Sequence, residues 1–116
     1  MDEKHFKAAL DSYVAGCQRI SEEDQRQRFP SLSDAITFRV EELQLYVRVV
    51  RNGTGVHSYI DKATGEVFKP AGWKGPAKTK IKRGNIFEDD NGLGCIGPCG
   101  VMNAEKLRTA RKASAA

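Results

Sequence analysis

The part of this sequence best equipped for chemistry is the run Lys69-Pro70-Ala71-Gly72-Trp73-Lys74-Gly75-Pro76-Ala77-Lys78-Thr79-Lys80-Ile81-Lys82-Arg83. It holds six cations, Lys69, Lys74, Lys78, Lys80, Lys82 and Arg83, and no acid. Cations at this density suit a polyanion, since each phosphate neutralised releases condensed counterions and adds roughly one unit to the salt slope of binding. The only tryptophan of the chain, Trp73, sits inside the run. Glycines beside it let backbone approach a ligand closely, and prolines stiffen the segment. A ring placed among cations is what single-stranded nucleic acid uses, because bases stack on it while lysines follow the phosphates. The competing use of Trp73 is as a core plug that pins this arm across the rest of the protein and leaves the lysines solvated.

A second set of residues belongs to two strands. Leu43, Leu45, Val47 and Val49 alternate with Gln44, Tyr46, Arg48 and Val50, the period of a half-buried strand that ends at Arg51. Val56-His57-Ser58-Tyr59-Ile60 is the return strand. If the first four face the core, Tyr46 and Arg48 face outward, and on the return strand Val56 and Ile60 turn inward while His57 and Tyr59 turn outward. Phe68 joins them if Val67 points to the core. Tyr46 and Tyr59 would then stack on bases while Arg48 and Arg51 hold phosphates. Against this, tyrosine and phenylalanine have high strand propensity whatever their use.

Other constellations carry less. Cys95 and Cys99 are spaced like two ligands of a metal site, but a structural zinc needs four, and His5 and His57 lie far upstream. Cys17 reads as a small core residue. Gly92-Leu93-Gly94-Cys95-Ile96-Gly97 matches G-x-G-x-x-G, yet Pro98-Cys99-Gly100 follows where a dinucleotide loop needs a helix. Glu88, Asp89 and Asp90 read as a solvated turn rather than a cation site. No Ser/His/Asp or Cys/His spacing supports nucleophilic or acid–base catalysis. The expectation is a non-catalytic protein with no cofactor and no metal.

The whole chain agrees with a polyanionic partner. Its 116 residues carry a net +4, divided unevenly: residues 1–42 hold six Lys or Arg against nine Asp or Glu, and residues 43–116 hold thirteen against six. Such asymmetry points to nucleic acid or an acidic surface. No apolar run approaches the roughly 18 residues of a membrane span. The charged opening Met-Asp-Glu-Lys-His lacks a signal-peptide h-region, and three cysteines, an odd number, do not suit a disulfide scaffold. These features predict a cytoplasmic protein of one domain.

The elements that must position these groups follow from periodicity. Phe6, Leu10, Tyr13, Val14 and Cys17 line one face of a helix predicted to close near Gly16. Ser21–Gln25 reads as a separate capped polar turn, interrupted by Phe29-Pro30. Residues 31–42 fit two readings, a strand on the alternation of Ile36, Phe38 and Val40 and a short helix capped by Ser33-Asp34, and the strand is the expectation. Asn52-Gly53-Thr54-Gly55 supplies a hairpin turn, and Asp61–Gly65 a second turn into Glu66–Lys69. Asn103 caps a short basic helix in a tail over 103–116 that frays at its end. The expected fold is α+β: an N-terminal helix packed on a three- to four-stranded antiparallel meander, with an extended basic arm at 69–83 and a short C-terminal helix. Open sheet edges favour a homo-oligomer.

The string from Tyr59 to Lys78, Tyr-Ile-Asp-Lys-Ala-Thr-Gly-Glu-Val-Phe-Lys-Pro-Ala-Gly-Trp-Lys-Gly-Pro-Ala-Lys, followed by Arg83-Gly84-Asn85-Ile86-Phe87 and preceded by Tyr-Val-Arg-Val-Val-Arg at 46–51, resembles small uncharacterised proteins encoded by bacterial viruses. The resemblance spans about a quarter of the chain and implies a viral protein made in the bacterial cytoplasm, with roles in genome handling, virion assembly or host takeover. The function expected from all of this is binding of nucleic acid, single-stranded DNA above duplex, with weak sequence preference. The alternatives are an interaction or inhibitor protein that docks on an acidic surface of a host or viral enzyme, and a minor virion component.

Overall fold

The structure, a computed structural model, describes residues 3–31, 36–52, 55–76, 83–97 and 100–101. Helix α1 runs from Glu3 to Arg28 and buries Ala9, Leu10, Tyr13, Gly16 and Cys17 along one stripe, the three-and-four spacing of an amphipathic helix. Glu3 in its first turn and Arg26 and Arg28 in its last complement the helix dipole. The helix does not close near Gly16. It continues through Ser21, and Phe29-Pro30 ends it. Gly16 is a contact point instead: a Cβ there would run into the Leu93 Cδ1 methyl, so the missing side chain lets a later turn seat directly on the helix. Tertiary packing of this kind outweighs the roughly 1 kcal/mol that a mid-helix glycine costs.

The strands are β1 (Phe38–Glu42), β2 (Tyr46–Arg51), β3 (Gly55–Asp61), β4 (Glu66–Phe68) and β5 (Gly84–Asn85). They form one antiparallel sheet in sequence order. The α+β architecture and the meander are therefore as expected, with one more strand. That extra strand, β5, comes from only two residues after the basic arm, too short for any periodicity to show. Leu43 and Leu45 do not extend β2: the chain bends at 44–45 and leaves Leu45 68% exposed. A 3₁₀ turn at Leu93–Cys95 and a small hairpin, β6 (Ile96–Gly97) with β7 (Gly100–Val101), pack against α1 and β3.

One core joins these parts: Leu10, Tyr13 and Cys17 of α1 meet Val47, Val49, Ile60 and Val67 of the sheet, and Ile86, Cys95, Ile96 and Val101 close it. The helix thus covers one face of the sheet, and the other face is left for the arm. A bulge sits where Val49 pairs with Ser58 but Val50 pairs with Val56. It reverses the expected alternation of the early β3 residues. Val56 lies on the side of Val50, away from the helix, and Ser58 turns toward Tyr13, whose hydroxyl donates to Ser58 Oγ at 2.7 Å. Among the described residues, no helix is long and apolar enough to cross a membrane. The expected C-terminal helix over 103–116, and Cys99, lie outside the described residues.

Candidate nucleic-acid interface

The face of the sheet away from α1 is built by alternation. Tyr46 and Arg48 on β2, Tyr59 on β3 and Phe68 on β4 share it, with Arg48 opposite Tyr59 and Tyr59 opposite Phe68. Aromatic and basic groups are therefore gathered as the sequence predicts. They are not open. Tyr46 meets Tyr59 edge-on at 6.0 Å and Phe68 at 6.4 Å between centroids, the T-shaped arrangement that ring quadrupoles favour. Tyr59 has no exposed surface and Phe68 only 6%, so neither ring is accessible to a base.

What closes this face is the start of the basic run. Pro70 and Pro76 form an isolated bridge, and Ala71 N–H donates to the Gly75 carbonyl at 3.0 Å. Residues 70–76 thus make a tight loop rather than an extended arm. Gly72 turns it at φ 123°, a value that L side chains rarely adopt. Two polar contacts hold the loop on the sheet. Tyr59 Oη donates to the Gly72 carbonyl at 2.6 Å, and Arg48 Nη1 to the Trp73 carbonyl at 2.7 Å. Arg48 is itself fixed, because its Nε donates to Glu41 Oε1 at 2.7 Å while Arg39 bonds Glu41 Oε2 at 2.9 Å. Hydrogen bonding to Arg48, reinforced by Arg39, holds the Glu41 carboxyl below its ordinary pKa.

At the loop tip the Arg48 guanidinium carbon lies 5.0 Å from the Trp73 ring centroid, within cation–π range. Trp73 stays 45% exposed, so it is not the core plug that the sequence allows. Lys74 beside it is exposed, and Lys69 at the loop base is half-buried. Among the described residues, this face therefore presents one buttressed indole beside an exposed lysine, rather than a sheet of open rings.

The remaining predicted residues divide. Tyr46 is half-buried, its ring turned against Tyr59 and Phe68. Arg51 falls on the opposite face from Arg48, because an odd spacing along β2 reverses the side chain, and it raises the positive potential near His57. Arg83 is buried at 6% exposure, and its N–H donates to the Val67 carbonyl where the chain re-enters the sheet. It belongs to the base of β5, where a phosphate cannot reach. Lys78, Lys80 and Lys82 lie outside the described residues. The sequence reading missed Glu41 as the anchor of Arg48. A signal for the closed loop does exist in Pro70-Ala71-Gly72 and Gly75-Pro76 on either side of Trp73, which favour a turn over an extended arm.

The other chemistry-bearing motifs take structural roles. Asp90 caps the turn that contains the glycine-rich string, accepting from the Gly92 and Gly94 amides at 2.9 and 2.8 Å. Cys95 Sγ donates to the Gly92 carbonyl at 3.1 Å. Burial pushes the Cys17 thiol up to about 12, which makes it a poor nucleophile. The model of a family of unknown function, DUF7717, matches residues 4–101, and the chain belongs to that family. No curated protein and no solved structure matches the chain.

Proposed function

We propose that this member of the DUF7717 family is a non-catalytic nucleic-acid-binding protein that prefers single-stranded DNA. It binds through the loop at 69–76 and the lysines that follow it. The observation that carries the reading is Trp73, a large ring left 45% exposed at the tip of a loop that two hydrogen bonds and a guanidinium hold in place. An indole pre-set in this way loses little conformational entropy on binding, and a base stacked on it contributes about 1–3 kcal/mol. Lys69 and Lys74 on the loop, with Lys78, Lys80 and Lys82 further along the chain, supply phosphate contacts. Sequence preference is weak because stacking accepts every base. The resemblance of residues 59–87 to proteins of bacterial viruses supports a role in handling a viral genome.

The chain contains one tryptophan, so fluorescence excited at the red edge, beyond tyrosine absorption, reports this loop alone. Titration with an unlabelled single-stranded oligonucleotide is expected to quench it, with a smaller response to duplex. The logarithm of affinity should fall with log salt at a slope of roughly −3 to −4, for about five neutralised phosphates on a single strand. Trp73→Ala, followed by anisotropy of a labelled oligonucleotide, should weaken binding about tenfold or more at an unchanged salt slope. Absence of binding at low salt overturns the proposal. Equal affinity of Trp73→Ala and wild type would reduce it to diffuse adsorption by the lysines.

A further inference from the structure

Strand β1 is the first strand of the sheet, with β2 on one side. Its register to β2 shows which backbone groups are used there. Asn52 N–H donates to the Thr37 carbonyl, and Leu43 N–H to the Tyr46 carbonyl, so the odd-numbered residues from 37 to 43 point at β2. Successive residues point oppositely along a strand. Phe38, Val40 and Glu42 therefore present their N–H and C=O groups at the other edge, where the described residues place no further strand. Val40 sits in the middle of that edge and is 41% exposed.

We infer that β1 is a homodimerisation edge, pairing antiparallel with β1 of a second copy about a two-fold axis through Val40. The charge pattern of the strand argues for this occupant and this register. With Val40 opposite Val40 of the partner copy, Phe38 falls opposite Glu42, and Arg39 opposite Glu41, in both directions across the axis. The Phe38–Glu42 and Val40–Val40 positions are hydrogen-bonded pairs, and Arg39–Glu41 is a non-hydrogen-bonded pair, the position where side chains approach most closely. Sliding the partner by two residues one way sets Arg39 against Arg39, and the other way Glu41 against Glu41. Like charges directly opposite are destabilising. The charges that usually protect an edge from pairing here repel the two registers on either side of this one.

The geometry of the neighbours agrees. Arg39 and Glu41 lie 53% and 28% exposed on the side of the sheet away from α1, already within bonding distance of each other at 2.9 Å. A partner arginine thus reaches the same Glu41 carboxylate with little rearrangement. On the helix side, Val40 and Val47 line an open groove with Phe6 and Leu10 of α1, and the two Val40 side chains cover each other there. Pairing makes one continuous sheet from two five-stranded ones, and it adds an arginine to the Glu41 carboxylate that anchors Arg48 beneath the Trp73 loop.

Sedimentation velocity over a wide concentration range, with site-directed cross-linking, tests the inference. Wild type is expected to show a reversible monomer–dimer equilibrium. Val40→Pro removes an N–H that points away from β2, so it spares the β1–β2 ladder. It should leave the melting temperature near that of wild type and weaken the dimer roughly thirty-fold, the loss of two symmetry-related backbone hydrogen bonds. Arg39→Glu should weaken it as well by placing like charges opposite. Val40→Cys should form an intermolecular disulfide on mild oxidation, because paired Cα atoms about 5.5 Å apart fall within disulfide range. Arg39→Cys should not, since residue 39 faces 41 rather than 39. Wild type carried through the same oxidation corrects for its own thiols. A wild type that stays monomeric at millimolar concentration overturns the inference. So does a Val40→Pro or Arg39→Glu protein that dimerises as wild type does, or Arg39→Cys cross-linking more readily than Val40→Cys.

Discussion

Lowering the pH should destabilise this protein through one buried imidazole. His57 is 4% exposed, with Nδ1 3.0 Å from Ser58 Oγ and its ring edge-on to Phe38 at 5.2 Å. The Tyr13 hydroxyl donates to the same Ser58 Oγ, and His57 Nε2 is buried with no hydrogen-bond partner among the described residues. Burial first, then the nearby Arg51 charge, lower the His57 pKa from 6.5 to about 4. The unfolded chain takes up a proton near pH 6.5, whereas the folded chain resists until about 4. Stability is therefore complete above pH 6.5 and declines as the pH falls to about 4, by about 3 kcal/mol in all. That is a large share of the roughly 5–15 kcal/mol that holds a domain together. Glu41 and Glu42 are held below 4.5 by Arg48 and Lys62, so their contributions begin to fade only as the pH nears that value and the unfolded carboxyls protonate. The interval from 7.5 to 5.5 thus isolates the histidine, with an expected loss of about 1 kcal/mol. Urea unfolding followed by circular dichroism at pH 7.5, 5.5 and 4.5 measures it. His57→Gln should flatten the pH dependence whatever its stability at neutral pH. A flat wild-type profile, or an equal decline in His57→Gln, would refute the reasoning.

Three further outcomes follow from single contacts. Gly16→Ala should gain about 1 kcal/mol of helix propensity but lose about 1–3 kcal/mol by forcing Leu93 aside, for a net destabilisation in urea. In a Leu93→Ala background the same substitution should become stabilising, and failure of that sign change would show that the contact does not govern the position. Tyr59→Phe removes the donor to the Gly72 carbonyl. It should cost about 1 kcal/mol and lower the fluorescence anisotropy of Trp73 as the loop loosens, whereas unchanged anisotropy would mean that Arg48 alone holds it. Cys17, with its thiol near 12, and Cys95, 1% exposed, should escape alkylation at pH 8 in the native protein and react after unfolding, as peptide mass mapping can follow.

Local pattern alone determined much of this protein. The three-and-four spacing of Leu10, Tyr13 and Cys17 specifies a helix with one buried stripe. The alternation around Val47 and Val49, with turns at Asn52 and Asp61–Gly65, specifies an antiparallel meander, because neither feature depends on distant residues. The cation count of the 69–83 run is likewise a property of the text. Only the tertiary structure decided which of those groups face water. Alternation puts Tyr46, Tyr59 and Phe68 on one side, but whether that side is open depends on a loop folding back to bond Arg48, 25 residues before Trp73, and Tyr59, 13 residues before Gly72. The bulge at Val49 and Val50, the pairing of Arg48 with Glu41 and the burial of Arg83 beside Val67 are all matters of register between segments. Register is set by packing across the whole core, and a period read within one segment carries no information about it.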